Sequence, residues 1–293
     1  MTTSVAFLSR HERFRSVPST NDVVRTWLTA GTVEVCLAVA SEQTAGRGRS
    51  GRSWVAPSGA ALLLSLGFRP GYLPADRVWR LAAVVSLAMA DAAEAVAGLA
   101  VGRLRLKWPN DIVVEVASGA SGAGGAGGAG GAAGAAGGLR KVAGVLGETE
   151  GVGTADQLAI VGIGINADWP RSSFPVELAN SMTSLREVSG GRPIDADELL
   201  EAFLLRVEPR VVALRDGHFD VAGWHDRQVT TGRTVRLERS GWEAEEVLAV
   251  GVDGATGALL VEDPAAPGVD REVLAGEVVH VRLAAAGDGD VTP

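Results

Sequence analysis

Residues 34–68 read "EVCLAVASEQTAGRGRSGRSWVAPSGAALLLSLGF": two unbroken apolar runs joined by a loop in which Arg47, Arg49 and Arg52 are interspersed with glycine. "EVCLAVA" and "ALLLSLGF" have strand length and no helical spacing, so they predict two strands buried on both faces. The loop is then tied to the core at both ends. Glycine lets a flexible backbone approach a ligand closely, and each guanidinium offers a planar fork of donors. That chemistry suits an anion.

Bulk composition makes the anion a small one. The chain has 293 residues, a net charge of −8 and a sequence pI near 5.1, a balance that argues against nucleic acid or an anionic membrane as partner. With 46 % apolar and 21 % charged residues it is a globular sequence with a core to bury. Cys36 stands alone, so no intramolecular disulfide forms. "MTTSVAFLSR" at the N-terminus lacks the apolar core of a signal peptide, and the apolar stretch 81–101 carries Asp91 and Glu94. A soluble, cytoplasmic protein with no membrane partner is expected.

Working outward, "PSTNDVVRTWLTAG" (18–31) puts Ser, Thr and Asn before a short helical pattern closed by Gly31, as a capped helix requires. A second helix is predicted between Pro74 and Gly98, with Val78, Leu81, Val85, Met89 and Val96 on its core face. "RLRLKWPND" and "DIVVEV" follow. Residues 117–138 contain only Ala, Gly and Ser, and such a coil would hold its ends about 25 Å apart when unconstrained. Because "LRKVAGVLGETEG" and "DQLAIVGIGIN" beyond it continue the strand-rich pattern, the tract reads as a disordered hairpin insertion rather than a domain linker. "DADELLEAFLLRVEPRVVALRDG" (195–217) is an amphipathic helix that Pro209 should kink or split. From Gln228 the texture changes to short β patterns between Gly and Asp, which predict a small barrel. The expected division is 1–227 for the larger domain, 228–285 for the smaller and 286–293 for a disordered tail.

Several catalytic devices are missing. No phosphate loop of the form G-x-x-x-x-G-K-[ST] and no G-x-S-x-G occurs, and His11, His218, His225 and His280 lack metal-ligand spacing. No protein-bound metal is expected. An anion site without a protein nucleophile fits a substrate that is itself the nucleophile, as when a carboxylate attacks the α-phosphorus of ATP. Arg47, Arg49 and Arg52 could offset the repulsion, Lys107 and Lys141 could hold phosphate or acyl oxygen, and Trp54 could cover a ring. By residue type alone, a solvated loop, a core tryptophan and surface lysines are the competing assignments.

The order "GRGRSGRSW", "KWPND", "KVAGVLGE", "GIGIN" resembles the catalytic domain of biotin protein ligases, over roughly residues 15–285. The resemblance implies an α+β fold: a mixed sheet with flanking helices on one side, related to class II aminoacyl-tRNA synthetases, and a C-terminal SH3-like barrel. It implies that Ser19, Thr20, Asn21 and Gln43 meet the ureido end of biotin. Gly46, Arg47, Gly48 and Arg49 would close over biotin's carboxylate or the adenylate, with Gly144 and Lys141 also against biotin. Arg52 would reach ATP phosphates, Trp54 would lie near adenine, and Lys107, Asn110 and Asn166 would line the nucleotide site. Arg49, Arg52, Asp111 and Lys141 are the implied catalytic set, Asp111 orienting the incoming lysine amine or the metal. Implied partners are biotin, ATP with Mg²⁺, and the carrier-protein domain of an acyl-CoA carboxylase, acting on a monomer or homodimer. Only eighteen residues precede Ser19, where the family's repressor members carry a helix-turn-helix, so DNA binding is not expected. The Ala/Gly/Ser tract lies just before Lys141, where the family has a short turn. A lipoate or octanoate ligase and a non-catalytic biotin-binding module are the alternatives.

Overall fold

In a computed structural model of the chain, residues 7–116, 138–238, 241–266, 268–275 and 280–283 are described. Chain order begins with β1 (Arg10–Phe14), α1 (Thr20–Thr29), β2 (Cys36–Ala40) and β3 (Ala61–Phe68). Every residue of β2 and β3 is buried, as their unbroken apolar sequences predict. After α2 (Arg80–Ala97) come β4 (Leu104–Lys107), β5 (Asp111–Glu115), β6 (Leu139–Glu150) and β7 (Leu158–Asn166). These strands form one seven-stranded sheet in the order β1-β2-β3-β7-β6-β5-β4. Only β1 and β2 run parallel, so the sheet is mixed.

The alternation of β7 divides the molecule. Val161, Ile163 and Ile165 point into the main core with Leu81, Val85 and Met89 of α2, while Ile160 joins Val24, Trp27 and Leu28 of α1 on the opposite face. Helices therefore cover both faces, which corrects the expectation of helices on one side. α1 is short and amphipathic, and it can bury its stripe only by lying across β2, β3 and β7.

α2 ends at Gly98 with φ +60, a left-handed cap that glycine adopts without strain. After α3 (Leu185–Val188), α4 (Ala196–Arg215) starts at Asp195, whose carboxylate accepts from the Asp197 and Glu198 N–H groups. Of the two outcomes expected at Pro209, a kink or a split, the split does not occur: α4 runs on through it. The amide it removes would have bonded the carbonyl of Leu205, and both residues lie on the exposed side, where water can serve that carbonyl. Between α2, α4 and the end of α5 (Val221–Asp226), Arg227 bonds Glu94 (2.6 Å) and Asp91, and Arg210 also bonds Asp91. Arg227 and Glu94 are buried and Asp91 and Arg210 half-buried, and the four are mutually paired, which is the condition for tolerating buried charge.

The C-terminal part is a five-stranded antiparallel sheet of β8 (Arg233–Glu238), β9 (Glu245–Val252), β10 (Leu259–Glu262), β11 (Asp270–Val273) and β12 (His280–Leu283), in the order β11-β10-β9-β8-β12. Among the described residues it is a sheet, with no pairing of β11 to β12 that would close a barrel.

The hairpin insertion itself lies outside the described residues, but its flanks pair antiparallel, with Val116 N–H donating to the Gly138 carbonyl (3.0 Å). Replacing residues 117–138 by a four-residue turn should therefore leave folding stability unchanged or raise it by about 1.5 kcal/mol, at roughly 0.6 kcal/mol per doubling of loop length. Urea denaturation checks this. A loss of more than about 1 kcal/mol would show that the tract contributes packing of its own.

Candidate active site

Glycine clears the floor of the site. Gly162 and Gly164 share one face of β7, and Gly144 of β6 stands opposite Gly164 in register. A Cβ at Gly164 would lie 2.5 Å from Cε2 of Trp54, and one at Gly144 would lie 3.0 Å from the same ring and 2.9 Å from Nζ of Lys141. A Cβ at Gly162 would strike the Asn21 carboxamide. The "GIGIN" alternation thus admits Trp54 and Asn21 on one face while Ile163 and Ile165 fill the core on the other.

Above this floor is a cleft of about 540 Å³. Fourteen of the sixteen residues expected at the site line it: Ser19, Thr20 and Asn21 from α1 and its cap; Gln43, Arg47, Gly48, Arg49, Arg52 and Trp54 from the arginine loop; Lys107, Asn110 and Asp111 from the β4–β5 turn; Lys141 and Gly144 from β6. Two stand apart. Gly46 accepts from Trp54 N–H (2.9 Å), so it fixes the tryptophan's backbone rather than forming the wall. Asn166 is fully buried at the end of β7, donating from Nδ2 to the Thr183 carbonyl (2.9 Å).

The "STN" segment is more than a cap. Ser19 stands at the N-cap but makes no side-chain capping bond. Thr20 donates from its amide (2.8 Å) and hydroxyl (3.1 Å) to Oε1 of Gln43. Ser65 Oγ lies between Thr20 Oγ1 (2.7 Å) and Asn21 Oδ1 (2.6 Å), and Asn21 Nδ2 donates to Glu148 (2.6 Å). This connected chain of donors and acceptors lines one end of the cleft, where each link restrains the next.

The arginines divide by partner. Arg47 makes two 2.7 Å bonds to Asp22 and reaches Glu148 at 3.4 Å, so it is committed to acids of this chain. That bonding to Arg47 is the main reason the Asp22 carboxyl titrates below its usual range. Arg49 instead donates to the carbonyl of Ala275. Burial, reinforced by Arg52 and opposed by Asp111, pushes the Arg49 guanidinium below its ordinary value. A desolvated cation of this kind gains most from an incoming anion. The loop, read as flexible, is folded here: the Gly48 amide bonds the Arg52 carbonyl (2.6 Å), Ser50 has φ +55 and Gly51 φ +72.

Facing the arginines, Lys141 Nζ lies 2.6 Å from Asp111 and 5.4 Å from the centre of the Trp54 ring. Nε1 of Trp54 is buried and, among the described residues, has no hydrogen-bond partner. Asp22, Ser65 and Glu148 stand behind the lining, each bonded to a residue that faces the cleft, and sequence reasoning missed them. Glu148 could have been found from strand periodicity, because it follows Gly144 by four residues on the same face. Ser65, the lone hydroxyl in "ALLLSLGF", was a second signal.

Gly162→Ala should destabilise the protein by about 1–3 kcal/mol, since the new methyl group displaces a buried, hydrogen-bonded Asn21. Chemical denaturation measures this directly. A loss below about 0.5 kcal/mol would mean that Asn21 relocates without cost.

Residues 13–166 match the model of the biotin/lipoate A/B protein ligase family. The biotin–[acetyl-CoA-carboxylase] ligase of Mycobacterium tuberculosis is 28 % identical over 266 residues, covering 90 % of this chain and 86 % of that one. The ligase of the same name from Paracoccus denitrificans is 32 % identical, covering 78 % and 84 %. In fold, the chain resembles the biotin protein ligase of Aquifex aeolicus solved with biotin and ATP, with a TM-score of 0.71 at 24 % identity over 94 % of this chain and all of that one. The family model spans more than half of this sequence, and the chain belongs to the biotin/lipoate A/B protein ligase family.

Proposed function

We propose that the protein is an ATP-dependent biotin protein ligase. The observation that carries this reading is a single cleft joining a hydrogen-bonding chain at one end to a cluster of cations at the other. A ureido ring needs both donors and acceptors, and the Gln43–Thr20–Ser65–Asn21 chain supplies them. An aliphatic acyl chain or a dithiolane has no donor or acceptor to exchange with those groups, which favours biotin over lipoate or octanoate. The relatives named for biotin ligation support the same choice.

In the first step the biotin carboxylate attacks the α-phosphorus of ATP. A P–O bond forms, pyrophosphate leaves, and biotinyl-5′-AMP remains. Arg49 and Arg52 would neutralise the phosphates, and Lys141 would hold the acyl or phosphate oxygen. Trp54 could donate its buried N–H to the ligand and cover its ring. In the second step a lysine amine of a carrier-protein domain attacks the mixed anhydride. The amide forms, AMP leaves, and the amine gives up a proton. Asp111, a carboxylate at the cleft, would receive the ammonium group and orient it.

Mg²⁺ would enter with ATP and supply charge neutralisation for the phosphates. Among the described residues no three His, Cys, Asp or Glu side chains gather, a donor set that fits a cation carried largely by phosphate oxygens and water. We further propose 1–227 and 228–285 as the domain division, closure of the C-terminal sheet into an SH3-like barrel, a cytoplasmic location, and a monomer or homodimer as the working form.

ATP–pyrophosphate exchange measured separately with biotin, lipoate and octanoate tests the reading. Biotin alone should support it. Arg49→Ala should slow exchange by roughly a hundredfold to a thousandfold, the loss of one charge-assisted contact in a desolvated site, and Arg49→Lys should recover little. Exchange driven by lipoate or octanoate but not biotin would move the protein to the other branch of its family. Near-normal exchange in Arg49→Ala would make that residue a solvated loop charge.

A further inference from the structure

The β4–β5 turn, Trp108-Pro109-Asn110, delivers Asp111 to Lys141; Trp108 is buried in the core, yet a cavity runs along the whole turn. A cavity of about 400 Å³ adjoins it, with Trp79, Trp108, Trp224 and Gly257 on its walls and Asn110 and Asp111 also in contact with it. A turn beside so large a space is not held by packing alone, so its hydrogen bonds carry more of the restraint.

Those bonds come from two sources. On the sheet side, Asn110 Nδ2 donates to the Val145 carbonyl (2.8 Å) and the Val145 amide donates to the Asn110 carbonyl (2.9 Å). On the other side the partners are remote in sequence. The Trp108 amide donates to Oγ1 of Thr230 (3.0 Å), which is fully buried, and Trp108 Nε1 donates to the Gly257 carbonyl (3.0 Å).

The turn that carries Gly257 is itself rigid. The Asp253 carboxylate accepts from the amides of Ala255 (2.8 Å) and Thr256 (2.6 Å). Its carbonyls at Gly254, Ala255 and Gly257 accept from Arg80 (2.9 Å), Trp79 (3.2 Å) and Trp108 (3.0 Å). Gly257 has φ +73, and a Cβ there would lie 2.6 Å from the Trp79 ring, so only glycine fits. The contact of Arg49 with the carbonyl of Ala275, just past β11, links the C-terminal part to the site from a second direction.

We propose that Thr230 and Gly257 are positioning residues: acting through Trp108, they set where Asn110 and Asp111 stand relative to Lys141. The inference rests on the proposed ligase reaction for its kinetic consequence, but not for its structural one. Neither residue touches the reacting atoms.

The test compares Thr230→Val, which keeps the volume and removes the acceptor, with Thr230→Ser, which keeps the hydroxyl, and Trp108→Phe, which removes the indole donor. Thr230→Val and Trp108→Phe should each lower kcat of biotin-dependent pyrophosphate exchange by about tenfold while KM for biotin stays within about twofold, because a displaced turn misaligns groups without emptying the biotin pocket. Hydrogen exchange at the amides of Trp108, Asn110 and Asp111 should quicken in both variants, and Thr230→Ser should restore both readouts. If Thr230→Val lowers the melting temperature but leaves kcat and those amides as in wild type, the positioning role is overturned. If wild type shows no exchange with biotin, the ligase reading fails, and the amide protection still decides whether Thr230 and Trp108 hold the turn.

Discussion

Gly162 and Gly164 alternate along β7 with Ile163 and Ile165, and the site depends on this division of one strand into two unlike faces. The isoleucine face contributes to the core that holds α2 and the sheet together. The glycine face gives up side-chain packing, a real cost in a central strand, and gains a floor low enough for an indole ring and a carboxamide. Trp54 can reach Lys141 only because Gly144 and Gly164 have no side chains. From that floor the rest follows in order: Trp54 fixes the end of the arginine loop, and the loop aims its cations across the cleft.

Charge is distributed with equal economy. In a chain of net charge −8, Arg47 and Arg25 are bound to Asp22, Glu148 and Glu150 at one edge of the cleft, a network that holds α1, the loop and β6 in register. Such partly exposed pairs add little stability each, and their value lies in geometry. Arg49 and Lys141 both line the cleft, and partial burial at Arg49 strengthens its pull on an anion. The arginines that look equivalent in "GRGRSGRSW" therefore have different tasks.

Most of the sheet was legible in the sequence because β2, β3 and β7 are buried on both faces and carry unbroken apolar runs. The membership of the cleft was legible too, through the motifs that the resemblance rests on. What was not legible depends on contacts between distant residues. Nothing local in "STN" tells that Thr20 and Asn21 are buried against Gln43 and Glu148, and a helix cap is the better local reading. Arg47 is separated from Glu148 by 101 residues, and Trp108 from Gly257 by 149, so pairing them needs the folded topology. That α4 runs on through Pro209 was not legible either, because sequence shows a missing amide but not that the orphaned carbonyl lies on the exposed side.

The central claim is that biotin occupies the glycine-floored cleft. Titration calorimetry of biotin against wild type and Gly144→Val tests it, since even a Cβ there would lie 2.9 Å from Nζ of Lys141 and 3.0 Å from the Trp54 ring and intrude on the space above the floor. One biotin should bind per wild-type chain, and the variant should lose affinity by about a hundredfold or more while still melting cooperatively as a folded protein. Undiminished binding in Gly144→Val would place biotin elsewhere and contradict the account.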